Sequence, residues 1–206
     1  WKDLFDVRGT PTTAASALLQ SAAPARADAT VVARAAAAGM VCLGKTNLSE
    51  FAYSGLGLNP CFGTPVFAHE GGHDRAPGGS SSGAALAVAL GCGPLAMGTD
   101  TAGSVRIPAA FNGLVGYRAS RGRYCLQGVF ALAPSLDTLG PLALSVADCM
   151  ALDRVLRGLT DDGHANASPA ADLRNQVFCT DLSLLDDDRV QAPVRNNLLS
   201  SLALLE

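Results

Sequence analysis

Two short serine-bearing loops hold the residues whose types and spacing could do chemistry. The first is Gly78-Gly79-Ser80-Ser81-Ser82-Gly83. The second closes the run GTDTAGSVRIP that begins at Gly98, and it presents Thr101, Ala102, Gly103, Ser104 and Arg106. Between them, Ala84 to Leu90 has no polar face and suits a buried helix, Gly91 and Gly93 suit its C-terminal end, and Pro94 to Met97 suits a short buried strand. Loop, helix, strand and loop return both serines to one side. A serine hydroxyl is a weak nucleophile until a neighbouring base takes its proton. The chain has three histidines and only two lysines, Lys2 and Lys45. A lysine can act as that base only when neutral, and burial beside a hydroxyl lowers its pKa from the ordinary value of about 10.4.

Three other motifs compete for the chemistry. Gly39 to Thr46 matches the phosphate-loop pattern GxxxxGK[ST], which would make Gly44-Lys45-Thr46 part of a non-catalytic ATP-binding module. That loop must follow a strand and open a helix, whereas here the middle residues Val41-Cys42-Leu43 resemble the strand itself. His69-Glu70-Gly71-Gly72-His73 matches the zinc-protease pattern HExxH. Its imidazoles would need a stable helix, which two central glycines oppose by about 2 kcal/mol relative to alanine. Gly79 to Gly83 contains GxSxG centred on Ser81, but the nucleophile elbow needs a strand immediately before the serine, and Arg75-Ala76-Pro77-Gly78 does not read as one. No metal and no cofactor is expected.

The elements that must position the serines alternate between helix and strand. Asp28 to Ala38 reads as a helix capped by Asp28 and closed by Gly39, followed by a short buried strand at Met40 to Leu43. Residues 1 to 13 read as a strand end and a turn broken by Gly9 and Pro11. Gly55 to Gly79 reads as a surface loop near the site, Leu114 to Tyr117 as a strand, and Phe130 to Ser135 as a connection. Ser145-Val146-Ala147-Asp148 forms a capping box for a helix that Gly158 ends. Residues 159–171 read as an exposed connection, Val177 to Thr180 as a strand, and Arg189 to Leu205 as a helix. Repeated helix–strand units predict an α/β layered fold in one domain over residues 1–206.

Composition narrows the partners. With 49% hydrophobic residues the chain can bury a large core, and its net charge of −3 with scattered arginines marks no nucleic-acid or membrane surface. A small polar or apolar substrate fits better. The six cysteines are widely spaced without CxxC pairs, which reads as reduced core cysteine and a cytoplasmic setting.

These residues resemble the amidase signature family, hydrolases that break C–N amide bonds. The resemblance rests on GGSSSG, on GTDTAGS-VR-P and on their separation. It extends through Lys2-Asp3, Thr10 to Thr13, Gly44 to Asn47 with Glu50 to Ala52, and Ser135 to Thr138 with Gly140-Pro141, roughly residues 1 to 158. It implies an α/β fold with a mixed central sheet covered by helices, and it implies Ser104 as nucleophile, Ser80 as a bridging serine preceded by a cis peptide bond, and Lys2 as base. The amides of Thr101, Ala102, Gly103 and Ser104 become oxyanion donors, with Ser81 supporting Ser80 by hydrogen bonding. Asp100 and Arg106 support the second loop, Arg106 by structural pairing in preference to anion binding. Where Ala102 stands the family usually has glycine, so one methyl narrows the turn. The implied function is hydrolysis of a small linear amide through an acyl-enzyme. Two further enzyme types share every motif quoted: an allophanate-type, urea-derived hydrolase and the glutamyl/aspartyl-tRNA amidotransferase A subunit. A homodimer or a complex with another protein chain is compatible with these readings. Because the motifs begin at residue 1, the domain is expected to be incomplete at both ends.

Overall fold

A computed structural model of the chain describes residues 1–68, 74–159, 177 and 179–204. The elements in order are α1 (Thr30–Ala37), β1 (Phe67–Ala68), β2 (Asp74–Arg75), α2 (Ser82–Ala89), β3 (Leu95–Asp100), α3 (Arg106–Phe111), β4 (Val115–Gly116), β5 (Thr138–Ala143), α4 (Val146–Arg157) and α5 (Ala192–Ala203). They fall into two compact units, Trp1–Thr160 and Asp161–Glu206. In the second unit, a 3-10 turn at Leu182–Leu185 precedes α5, whose Pro193 lies in its first turn.

β3 organises the first unit. It pairs antiparallel with β5 from Leu95↔Ala143 to Asp100↔Thr138, and β5 pairs on its other edge with β4, giving the order β3-β5-β4. The α/β class holds. Parallel pairing among the described residues is confined to the isolated bridge Lys2↔Thr46. β5 is buried along its whole length, and the sequence pattern did not reveal it, because Gly140-Pro141 reads as a break. The carbonyl of Pro141 accepts from Tyr117 N–H, so the residue contributes to the sheet without an N–H of its own.

Side-chain size sets how closely the layers approach. Ala84, Ala85 and Val88 of α2 meet Ala96, Val105, Ala109 and Leu142 in one buried cluster. Alanine-rich faces let α2, which the first serine loop enters, lie against β5 and against β3, which leads into the second loop. Phe5, Val31, Val32, Met97, Leu139, Leu152 and Leu156 form a second cluster under α1 and α4. A third, with Leu4, Ala14, Ala15, Leu48 and Ala52, seals the chain around residue 2. α4 begins as its sequence predicts, with the Ser145 hydroxyl accepting from Asp148 N–H at 3.1 Å, and ends at Gly158 in the left-handed region at φ 73°.

Several local expectations need correction. α1 has Ala29 at its N-cap and no side-chain cap, because the Asp28 carboxylate accepts from Arg8 N–H at 2.7 Å instead. Met40 to Leu43 is not a buried strand: it is irregular, with Val41 and Leu43 exposed. Trp1 to Asp3 makes its backbone bonds to Gly44, Thr46 and Met97, and among the described residues no strand pairs with 40–43. Cys42 is therefore exposed, as are Cys61, Cys92 and Cys179, and only Cys149 is a buried core cysteine. The 55–79 loop carries a minimal hairpin, Phe67↔Arg75 and Ala68↔Asp74. Val177, Cys179 and Thr180 form no strand, and the connection predicted at 159–171 lies, beyond Leu159, outside the described residues.

Leu142 tests this packing. Leu142→Ala removes a fully buried side chain from between α2 and the sheet, so stability measured by urea unfolding should fall by about 2–5 kcal/mol.

Candidate active site

Lys2 is stitched in place by its backbone before its side chain does anything. Its N–H donates to Met97 O in β3 at 2.9 Å, while Asp3 N–H donates to Thr46 O at 3.0 Å and Thr46 N–H to Trp1 O at 2.7 Å. The residue is fully buried. Its Nζ donates to Ser80 Oγ and to Thr99 Oγ1, each at 2.7 Å. Burial pushes the amine's pKa down to about 7, against the opposing pull of the Asp100 and Asp137 charges. Asp3, which follows directly in sequence, turns away. Its carboxylate accepts from Thr13 N–H at 3.1 Å and from the Thr13 hydroxyl, and it pairs with Lys45. Asp6 is held by the Thr12 hydroxyl at 2.7 Å.

The first serine loop passes through a crowded place. The Gly79–Ser80 peptide bond is cis, as the resemblance implies. Gly79 N–H donates to Gly55 O at 2.8 Å, and Ser80 O accepts from Ser49 N–H at 3.1 Å. A Cβ on Gly79 would lie 2.5 Å from Gly57 N and 2.8 Å from Ser49 Oγ, so only glycine lets the chain segments touch here. Contrary to expectation, Ser81 does not bond Ser80. Its N–H donates to Ser104 O at 3.2 Å, tying the two loops together, and its hydroxyl reaches Thr99 O at 3.4 Å. Gly98 makes room for that hydroxyl, since a Cβ there would sit 2.5 Å from Ser81 Oγ.

Asp100 shapes the second loop from within. Fully buried, it accepts from Gly103 N–H at 2.8 Å and Val105 N–H at 3.2 Å. Arg106 Nε and Nη2 bind it at 3.0 and 3.1 Å, and Arg118 Nε lies 3.3 Å away. Burial alone would raise its pKa; the Arg106 guanidinium and the amides of Val105 and Gly103 outweigh that and hold the carboxyl below its ordinary value. In this structure the Gly103 amide, expected among the oxyanion donors, is bonded to Asp100. Arg106 is committed to Asp100 too, in the structural pairing. Thr101, Ala102 and Ser104 have amides without a protein acceptor among the described residues. The Thr101 hydroxyl donates to Asp137 at 2.5 Å, and Asp137 in turn accepts from the amides of Leu132 and Ala133 at 2.8 and 3.0 Å.

Ser104 is buried too, 9% exposed where Ser80 and Lys2 are 0%. Among the described residues its hydroxyl makes no hydrogen bond to Ser80; the loops meet through the Ser81–Ser104 backbone contact.

Comparison with known proteins gives this geometry its context. The family model described as Amidase matches residues 1–182. The chain belongs to the amidase signature family. It is 46% identical over 169 residues to the A subunit of the glutamyl-tRNA(Gln) amidotransferase of Cupriavidus necator, covering 82% of this chain and 33% of that protein. The chain thus spans about a third of the length of the curated relatives it matches. A crystal structure of an amidase is 39% identical with a TM-score of 0.81, over 99% of this chain and 45% of its own. Kluyveromyces lactis allophanate hydrolase is 38% identical with a TM-score of 0.70, over 76% of this chain and 25% of its own.

Two of the three competing motifs lose their structural context in this amidase-family fold. The GxxxxGK[ST] residues follow α1, not a strand, and Lys45 is occupied by Asp3, Pro11 O at 2.9 Å and the Thr12 hydroxyl at 3.1 Å. No strand immediately precedes Ser81. His69 to His73 lies outside the described residues. Thr99 is the contact that sequence reasoning missed, although GTDTAGS contains it. A hydroxyl residue inside an apolar strand is the signal that could have found it.

Asp100 gives the site a testable pH dependence. Its folded pKa lies below the unfolded value of about 3.9, so its contribution is complete above that pH and is lost as pH falls through the folded value. Asp100→Asn should lower stability at pH 7 by about 2–4 kcal/mol and flatten the acid limb of a pH-dependent unfolding curve.

Proposed function

We propose that this chain carries the catalytic centre of a hydrolase that cleaves the C–N bond of a small linear amide through a serine acyl-enzyme. The buried Lys2 amine, bonded to the Ser80 hydroxyl at 2.7 Å and depressed to a pKa of about 7, is the observation that carries this reading. In the proposed sequence, neutral Lys2 accepts the Ser80 proton as Ser80 accepts the Ser104 proton, and Ser104 Oγ attacks the substrate carbonyl carbon. The amides of Thr101, Ala102 and Ser104 are the donors available to the negative oxygen. The proton returns through Ser80 to the leaving nitrogen, the C–N bond breaks, and ammonia or an amine departs. Water then attacks the acyl carbon and gives a proton to the same relay, which passes it to Ser104 Oγ as the acyl C–O bond breaks and the acid leaves.

A second reading has its own support: the 46%-identical relative is the A subunit of an amidotransferase. There the same centre would release ammonia from a carboxamide for use elsewhere, in complex with another protein chain. The allophanate hydrolase likeness keeps urea-derived acyl amides as a third substrate class. Ammonia release measured on glutamine, on simple aliphatic amides and on allophanate separates them, whereas activity on none would remove all three. Six free cysteines suit a reducing, cytoplasmic setting, and among the described residues no helix is long and apolar enough to cross a membrane.

A fluorophosphonate should label Ser104 with a rate that rises with pH and has its inflexion near 7, because protonated Lys2 cannot accept a proton. Ser104→Ala should abolish the adduct, and Ser80→Ala and Lys2→Met should slow it by roughly 10³-fold or more, read by intact mass and peptide mapping. The same amine affects stability with a defined sign. The unfolded chain keeps the Lys2 proton up to about 10.4 while the folded chain releases it near 7, so stability should rise with pH between those values, and Lys2→Met should remove that slope.

A further inference from the structure

The Lys2 amine has two hydroxyl partners, and the relay uses only one. Thr99 Oγ1 lies 2.7 Å from Nζ, the same distance as Ser80 Oγ, and is almost as buried as the lysine. Successive side chains of a strand point to opposite faces. In β3 this sends Asp100 to the Ser104 turn and Thr99 to the lysine.

The chemistry of a neutral amine makes the second partner matter. Such an amine has two N–H groups and one lone pair, and it can take the Ser80 proton only while the lone pair points at Ser80 Oγ. Ser80 alone cannot enforce that, because its hydroxyl can equally accept an N–H from the amine. We propose that Thr99 is a positioning residue for Lys2: by accepting one N–H at Oγ1 it turns the amine's lone pair toward Ser80. A hydroxyl suits this task where a carboxylate would not, since it anchors the amine without adding a negative charge that would hold the proton on it. The charges that do act on the amine, Asp100 and Asp137, are engaged by Arg106 and by Thr101, Leu132 and Ala133. The proposal rests on Lys2 being the proton acceptor.

The Lys2 signal is assigned by its loss in Lys2→Met, which makes the test direct. In the full-length protein labelled with ¹³C at lysine Cε, the Lys2 titration is followed by NMR alongside the rate of Ser104 labelling by a fluorophosphonate. Thr99→Val should slow the labelling step about 10–100-fold with reversible probe affinity within about twofold. It should also move the Lys2 midpoint downward, because a hydroxyl acceptor favours the ammonium over the amine. Thr99→Ser should keep both near the wild-type values. A labelling rate and a titration unchanged in Thr99→Val would overturn the proposal, as would Thr99→Ser behaving like valine. Should Thr99→Val fail to fold, Thr99→Ala against Thr99→Ser makes the same comparison. A Lys2 that titrates as an ordinary lysine, with Lys2→Met labelling at the wild-type rate, would instead overturn the base assignment itself and the Thr99 role with it.

Discussion

Burying a lysine amine with hydroxyls as its hydrogen-bond partners is the constraint on which this structure turns. Burial makes the charged amine costly and no carboxylate bonds it directly, so its pKa falls to about 7. Everything around residue 2 serves this end. Backbone bonds to Met97 and Thr46 fix the chain, Leu4, Phe5 and Leu48 exclude water, and Lys45 and Thr13 take the adjacent Asp3 carboxylate.

The second loop meets the opposite electrostatic demand. Asp100 is as buried as Lys2 but stays ionised, because two backbone amides and the Arg106 guanidinium surround it. Its carboxylate braces the turn that presents Ser104, and the Ser81 N–H connects that turn to the loop bearing Ser80. Two buried groups of opposite type, an amine whose pKa burial lowers and a carboxyl whose pKa its hydrogen bonds and Arg106 lower, are thus joined through β3. Small residues make this possible. Gly79 and Gly98 leave space for backbone and hydroxyl contacts that any side chain would occupy, and the alanines of α2 let the helix pack close behind the loops.

The sequence by itself determined the chemistry-bearing parts. GGSSSG, GTDTAGSVRIP and Lys2-Asp3 carried the family, and the buried helix at 84–90, the strand after it and the capped helix from Ser145 to Gly158 were legible because periodicity and capping are local properties. What only the tertiary structure decided depends on partners distant in the chain. Val41 to Leu43 has the composition of a strand but no strand beside it, whereas Thr138 to Ala143 contains a proline yet lies at the centre of the sheet, where its neighbours supply the pairing. In the same way, no local pattern could say that Lys2 meets the Ser80 hydroxyl across 78 positions of sequence, or Thr99 across 97. Those contacts follow from where each side chain lies once β3 is packed, and packing is a property of the whole chain.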